Sequence, residues 1–310
     1  MAYIEEAGFC IRFWGVRGSY PTPGPHTLRH GGNTACVEMR VGEQTLIFDA
    51  GSGIIGLGSS LLRQAEGKSY LNMSLFITHA HSDHLIGFPF FHPLFDPRLR
   101  IHLFGPQLSG RSLEELVVPW MSPPYFPVDI QQLPSHRLFH IVSDAQCIRW
   151  LPGECEPLLT TAHEALERSR EGEVRVYTNY THSHPLNGAV SYRIEYAGRS
   201  VVYATDVEWR NGCESSFLPF IEEADILIHD AQYTVHDYQQ TKQGFGHSTI
   251  AMATEVAQMA RVGELILFHH EPTYDDDQLD RMEAEARTCF THTRSACEGM
   301  EIDLLSASKE

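Results

Sequence analysis

Four side chains of metal-ligand type fall within six residues, His79-Ala80-His81-Ser82-Asp83-His84, directly after the apolar run LNMSLFIT. In extended chain, residues two apart point the same way, so His79 and His81 can offer imidazoles to one metal ion. Asp83 and His84, where the chain turns, can address a second position close by. Nitrogen and carboxylate donors together suit zinc, and they suit manganese or iron as well. A histidine-rich surface turn is the ordinary alternative, but an apolar strand feeding the cluster from the interior argues against it. A pair of ions needs further donors, and His184, Asp206 and His269 offer them from other parts of the chain. Such a pair supports hydrolysis, in which a water made acidic by the ions attacks a polarised phosphoryl or carbonyl centre.

The segments around these residues have to present them. FCIRFWG, TACVEMRV and QTLIFDAG read as short strands separated by glycine-rich turns. Between the first two, SYPTPGPHTLRHGGN is rich in proline and glycine and suits an irregular loop at the edge of a site. A helix is predicted from Ile54 to Gln64, then the LNMSLFIT strand, then a second helix beginning near His84. DAGSG, from Asp49 to Gly53, makes a tight strand-to-helix turn, with Asp49 placed to support a ligand histidine; no GKS or GKT follows, so it is not a phosphate-binding loop. Further on, AVSYRIEYA, SVVYATD, ADILIHD and ELILFHH read as strands, with helices before Ala224 and from Ser248 to Arg261. Three of these strands end in Asp206, Asp230 and His269. The middle is mixed, with RIHLFG as a strand and SLEELVVPW as a short helix. One domain over residues 1–310 is expected, with insertions around 90–175 and two sheets flanked by helices in an α/β layering.

Composition limits the partner. The 310 residues carry 40 acidic against 23 basic side chains, a formal net charge of −17, which repels polyanions. No general nucleic-acid binding is expected, whereas a small phosphorylated substrate in a local basic pocket is compatible with that charge. The seven cysteines never form a CxxC pair, so reduced thiols are expected rather than a disulfide framework. The start lacks a basic segment followed by an apolar run, and no stretch is apolar enough to span a bilayer. A cytoplasmic setting without membrane attachment follows; a homodimer is left open.

From FWGVRGS and GGNTACV through FDAGSG, THAHSDH, HPLNGAVSYRI, VVYATDVE, LIHDAQYT and GFGHST to LFHHEP, the chain resembles the metallo-β-lactamase superfamily. Within it the likeness is to the phosphodiesterase branch that includes ribonuclease Z and the phosphoribosyl cyclic phosphodiesterases. The resemblance implies a four-layer αββα sandwich with two divalent metal ions at one edge between the sheets. Carried onto this chain, it implies that His79, His81 and His184 hold one ion, that Asp83, His84 and His269 hold the other, and that Asp206 bridges both. His184 rather than His182, and His269 rather than His270, stand at the family's positions. His247 of GFGHST would protonate the leaving oxygen, and Asp83 would orient the nucleophile besides holding its ion. Asp230 either orients a histidine or caps the segment after it. Arg17 either forks to a substrate phosphate or pairs with a carboxylate, and Asn33 either meets substrate or fixes a glycine-rich turn.

The expected activity is hydrolysis of a small cyclic or linear phosphodiester by a hydroxide bridging two divalent ions, zinc foremost. The chain lacks a basic, glycine-rich arm for gripping tRNA and lacks a cysteine-rich zinc site, so it departs from both named relatives. Two other readings compete: the same dinuclear site used on a lactone or thioester, and a non-catalytic metal-binding sensor. The GFGHST element weighs against the first, and the completeness of the donor set against the second.

Overall fold

Strict alternation of buried and part-exposed residues runs along Gly8–Gly15 (β1), which places Phe9, Ile11 and Phe13 on one face. This strand belongs to the first of two sheets in the computed structural model, which describes residues 8–185 and 188–306. The same sheet takes Cys36–Gly42 (β2), Gln44–Phe48 (β3), Leu71–Phe76 (β4), Leu99–Pro106 (β5) and His136–Val142 (β6). The second sheet is built from Gln146–Trp150 (β7), Leu158–Thr161 (β8), Val174–Thr181 (β9), Ala189–Tyr196 (β10), Arg199–Ala204 (β11), Ile226–Asp230 (β12), Glu264–Phe268 (β13) and Thr293–Ser295 (β14). Glu301–Asp303 (β15) returns to the first sheet beside β1.

The strand orders are β15-β1-β2-β3-β4-β5-β6 and β14-β13-β12-β11-β10-β9-β7-β8. Each sheet is antiparallel in one part and parallel in the other: β3 to β6 run parallel in the first, β11 to β14 in the second. Parallel strands put their carboxyl ends along one edge, where ligands of open α/β sheets collect. Tyr192 and Val190 of β10 tie the sheets together there, through bonds of 2.8 Å to the Ile77 carbonyl and 3.0 Å to the Thr78 carbonyl.

Between the sheets lies an aromatic-rich core that includes Phe13, Phe48, Phe76, Phe104, Trp150, Tyr192, Tyr203 and Phe268. Outside the first sheet, helix α1 (Ile54–Gln64) buries Ile54, Leu57 and Leu61. Outside the second, α2 (Ile250–Met259) and α3 (Asp276–Cys289) bury Ala253, Val256, Leu279 and Met282. The result is the expected four-layer αββα sandwich. Among the described residues no helix is long and apolar enough to cross a membrane.

One expectation changes. No helix starts near His84: Ser82–His84 is a single 3₁₀ turn, followed by 3₁₀ turns at Phe88–Phe90 and His92–Phe95. Pro89 and Pro93 lack the amide protons that an α-helix would use, so the chain proceeds in short pieces. The span 90–175 supplies β5, β6, β7 and β8, which form the outer strands of both sheets.

Candidate metal centre

The donors stand just past the carboxyl ends of the parallel strands. His79 follows β4, Asp206 follows β11, and His269 follows β13 directly. Asp49, Asp206 and His269 have positive φ, of 59°, 58° and 62°. Non-glycine residues occupy that region rarely, and when they do, surrounding contacts have to hold them there. Leaving the strand in a left-handed turn directs each side chain back over the sheet edge.

Asp206 divides its two oxygens between two groups of donors. Its Oδ1 lies 3.2 Å from His84 Nε2 and 3.3 Å from His269 Nε2. Its Oδ2 lies 3.4 Å from His79 Nε2 and 3.8 Å from His184 Nε2. Asp83 Oδ2 completes the first group, 3.2 Å from His269 Nε2 and 3.4 Å from His84 Nε2. His81 completes the second, with its Nδ1 3.0 Å from His184 Nε2. Among the described residues, candidate ligand atoms thus gather as His79, His81, His184 and Asp206 on one side and Asp83, His84 and His269 on the other, with Asp206 and His269 also grouped with Asp230 and His247. All seven are buried except His81, whose exposure marks the open side of the centre.

The far nitrogen of each buried histidine is anchored. His84 Nδ1 donates to Asp49 at 2.8 Å, His184 Nδ1 donates to the Gly246 carbonyl at 2.9 Å, and His269 Nδ1 lies 3.2 Å from Gln232 Oε1. His79 Nδ1 is 3.1 Å from Thr78 Oγ1. Anchoring of this kind fixes the tautomer and aims the other nitrogen's lone pair inward, the usual arrangement around a bound metal. Lone pairs then face each other between His84 Nε2 and His269 Nε2, 3.2 Å apart. His79 Nε2 and Asp206 Oδ2 are buried without a hydrogen-bond partner. Facing lone pairs and orphaned buried acceptors are costly unless a cation lies among them, so these residues fit divalent metal ions.

Electrostatics point the same way. Burial pushes the pKa of His84 down, but Asp206, Asp83 and Asp49 outweigh it and hold His84 well above the ordinary histidine range. Burial would raise Asp206 and Asp83, yet the surrounding histidines keep both well below the carboxylate range. The carboxylates therefore stay charged and attract positive charge, as protons or as metal.

Asp49 lies beneath His84, and its carboxylate also accepts from the Thr78 amide at 2.9 Å and from Tyr203 OH at 2.9 Å. For Asp230 the two possibilities coexist: Oδ2 accepts from His247 Nδ1 at 2.7 Å, while Oδ1 accepts from the Gln232 and Ser248 amides. His247 stacks on His269, with centroids 4.9 Å apart and rings tilted by 18°. Burial works against its charge, but Asp230, helped by Asp206 and Asp83, pushes its pKa up to about 9. The ring therefore lies beside the candidate centre with its charged form favoured by these carboxylates.

His270 and His182 lie outside. His270 Nε2 turns to the Ala296 carbonyl at 3.0 Å, and the His182 ring packs on Tyr180. Arg17 and Asn33 need correction as substrate contacts. Arg17 is fully buried and spends its guanidinium on the carbonyls of Gly31, Glu271 and Tyr274 at 2.8, 3.1 and 2.7 Å. Asn33 donates its backbone and side-chain amides to Glu298 at 2.7 and 3.0 Å and accepts from Ser52, so it fixes the glycine-rich turn.

Two positioning residues escaped the sequence reading. Gln232 holds His269 and is itself held by its amide to Ser19 Oγ and Glu271. Glu208 accepts from Tyr238 OH at 2.7 Å and from the Gly244 and Gly246 amides at 2.7 and 2.9 Å, which clamps the loop that aims His184 and leads into His247. Their side-chain types signal no chemistry; only their adjacency to LIHD and VVYATD hinted at a role.

A model of the beta-lactamase superfamily domain matches residues 44–270. Ribonuclease Z from Thermoplasma acidophilum is 25% identical over 316 residues, covering 95% of this chain and 96% of that protein. Ribonuclease Z from Gemmatimonas aurantiaca is 27% identical, covering 95% of each. Among solved structures, the metallo-beta-lactamase fold protein YhfI from Bacillus subtilis superposes with a TM-score of 0.67 at 18% identity, covering 96% of this chain and 99% of that one. The short form of human tRNase Z superposes with a TM-score of 0.60 at 22% identity, covering 94% and 98%. Relatives named as ribonucleases along nearly their whole length overturn the expectation of a small diester partner and no nucleic acid. Net charge is a poor guide to such a partner because it averages over the surface, whereas divalent ions held at a centre of this kind would present local positive charge to a phosphate.

Proposed function

Because this chain belongs to the beta-lactamase superfamily, we propose that it is a metal-dependent phosphodiester hydrolase that cuts RNA, with zinc as the resident metal. The observation that carries the reading is the likeness to ribonuclease Z, which spans 95% of this chain and 96% of the relative. The donor arrangement supports it with a two-position centre and an adjacent acid. His79, His81 and His184 would hold one ion, Asp83, His84 and His269 the other, and Asp206 both. Divalent ions held there supply a water that ionises near neutral pH and a positive charge against the phosphoryl oxygen.

The chain's own residues do the rest. Asp83, pinned by the Ser19 amide at 2.7 Å, adds a carboxylate that aligns the attacking water. As the new P–O bond forms, the bond to the departing ribose oxygen breaks and His247 gives that oxygen a proton. Asp230 keeps the imidazolium oriented and charged until it does so. General-acid help of this kind is worth about 10²–10⁴ in rate.

The test is direct. Protein reconstituted with zinc or manganese is offered single-stranded RNA, a tRNA-like structured RNA, a lactone and a thioester. Metal-dependent scission of RNA, abolished by a chelator and restored by metal, is expected. Turnover of the lactone or thioester without any RNA scission overturns the reading.

A further inference from the structure

Among the described residues, two cavities open on the candidate centre, one on each side of His184 and Pro185. The first, of 390 Å³, is lined by His79 and His81 and reaches Leu108, Leu116 and Arg111. The second, of 570 Å³, is lined by His184 and reaches Tyr180, His182, Glu208 and Arg210. Each is large enough for one nucleotide, since small-ligand sites run to about 300–1,000 Å³. Each contains a single cationic side chain, and both arginines are exposed.

The arginines are presented by fixed backbone. Leu108 and Arg111 exchange amide-to-carbonyl bonds of 2.9 Å in both directions around Ser109 and Gly110, whose φ values of 49° and 77° make a tight two-residue hairpin turn. Arg210 Nε lies 3.7 Å from Glu208 Oε1, whose oxygens are already engaged by Tyr238 and the Gly244 and Gly246 amides. That carboxylate therefore anchors the arginine and is screened by its other donors. In the second cavity the exposed ring of His182, 5.1 Å from that of Tyr180 and tilted by 57° against it, offers a face on which a base can stack. Leu108 and Leu116 give the first cavity an apolar wall instead.

We propose that these cavities are nucleotide subsites flanking the scissile phosphate, with Arg111 and Arg210 each receiving a phosphate of the neighbouring nucleotide. The inference rests on the RNA-hydrolase reading and adds to it where the strand lies. It also explains how a chain of net charge −17 can hold a polyanion: two local cations and the metal centre meet three phosphates, and Glu208 is the one acidic side chain among the described residues lining either cavity.

Kinetics on a short single-stranded RNA across a salt series test it, using metal-loaded wild type, Arg111→Ala, Arg210→Ala, the two lysine variants, and Arg281→Ala on the exposed face of α3 as control. For each alanine variant, KM for RNA rises more than kcat falls, and the plot of log kcat/KM against log salt becomes shallower by about 0.7 per lost phosphate contact. Lysine, which keeps the charge, restores most of the slope, and the selectivity for RNA over bis-p-nitrophenyl phosphate drops in the alanine variants only. RNA scission with KM and salt slope unchanged in Arg111→Ala and Arg210→Ala overturns the subsites and leaves the RNA reading standing. Hydrolysis of bis-p-nitrophenyl phosphate by wild type with no scission of RNA overturns both.

Discussion

His247 donates through Nδ1 to Asp230 Oδ2 at 2.7 Å, and this one bond fixes both the ring's orientation and its charge. A carboxylate can only accept, so Nδ1 carries a proton and Nε2 holds the one that can be given away. Because Asp230 is what raises the His247 pKa against burial, the pair works as a unit.

Asp230→Asn should keep its metal and lose about 10²-fold or more in kcat on RNA. The fall of activity on the basic side, where the His247 proton is lost, should move to lower pH, because removing the carboxylate removes the main influence raising that pKa. A pH profile identical to wild type would contradict the pairing. His247→Ala should slow RNA far more than bis-p-nitrophenyl phosphate, whose leaving group needs no acid; equal losses would argue for a binding role.

Metal analysis of reconstituted protein should give close to two divalent ions per chain, an expectation drawn from the division of Asp206 between two donor groups. His84→Ala should lose chiefly the ion shared with Asp83 and His269, while Asp206→Ala should weaken both. Chelation should lower the melting temperature, since metal bound only by the folded state stabilises it. A stoichiometry near zero after metal supplementation would sink the centre.

Gly18→Ala should weaken metal binding without unfolding the protein. Gly18 bonds to the His270 carbonyl at 3.0 Å, and a β-carbon there would come within 2.4 Å of the His269 ring. The ring would have to swing away from Asp83 and Asp206. Wild-type metal affinity in this variant would show that His269 is not held where the geometry has it.

Arg17→Met should act on stability instead of substrate affinity. Removing the guanidinium strands three carbonyls, at a cost of about 2–4 kcal/mol. Urea unfolding should register that loss, while KM for RNA, measured on folded protein, stays at the wild-type value. A raised KM with unchanged stability would restore Arg17 as a phosphate contact.

The sequence by itself marked the strands and the candidate donors. Apolar runs ending in THAHSDH, ATD, HD and HH announce both, because a strand buried on two faces is written as continuous hydrophobic residues and a polar residue at its end has to be accounted for. Helix α1 was legible over its whole length, since its periodicity is uninterrupted. The helix expected near His84 was not there, because Pro89 and Pro93 act on the backbone whatever the hydrophobic pattern suggests.

The tertiary structure shows how donors far apart in the chain gather around Asp206, and which of two adjacent histidines faces inward, points that the sequence carried only through its resemblance to a family. His269 and His270 are identical in type, and the positive φ of the first turns it over the sheet edge, while the second bonds to the Ala296 carbonyl. It also decided that Arg17 is interior, since nothing local distinguishes an arginine that grips a phosphate from one that satisfies three carbonyls across the fold. Such assignments depend on what the rest of the chain brings into contact, and side-chain type and spacing carry no record of that.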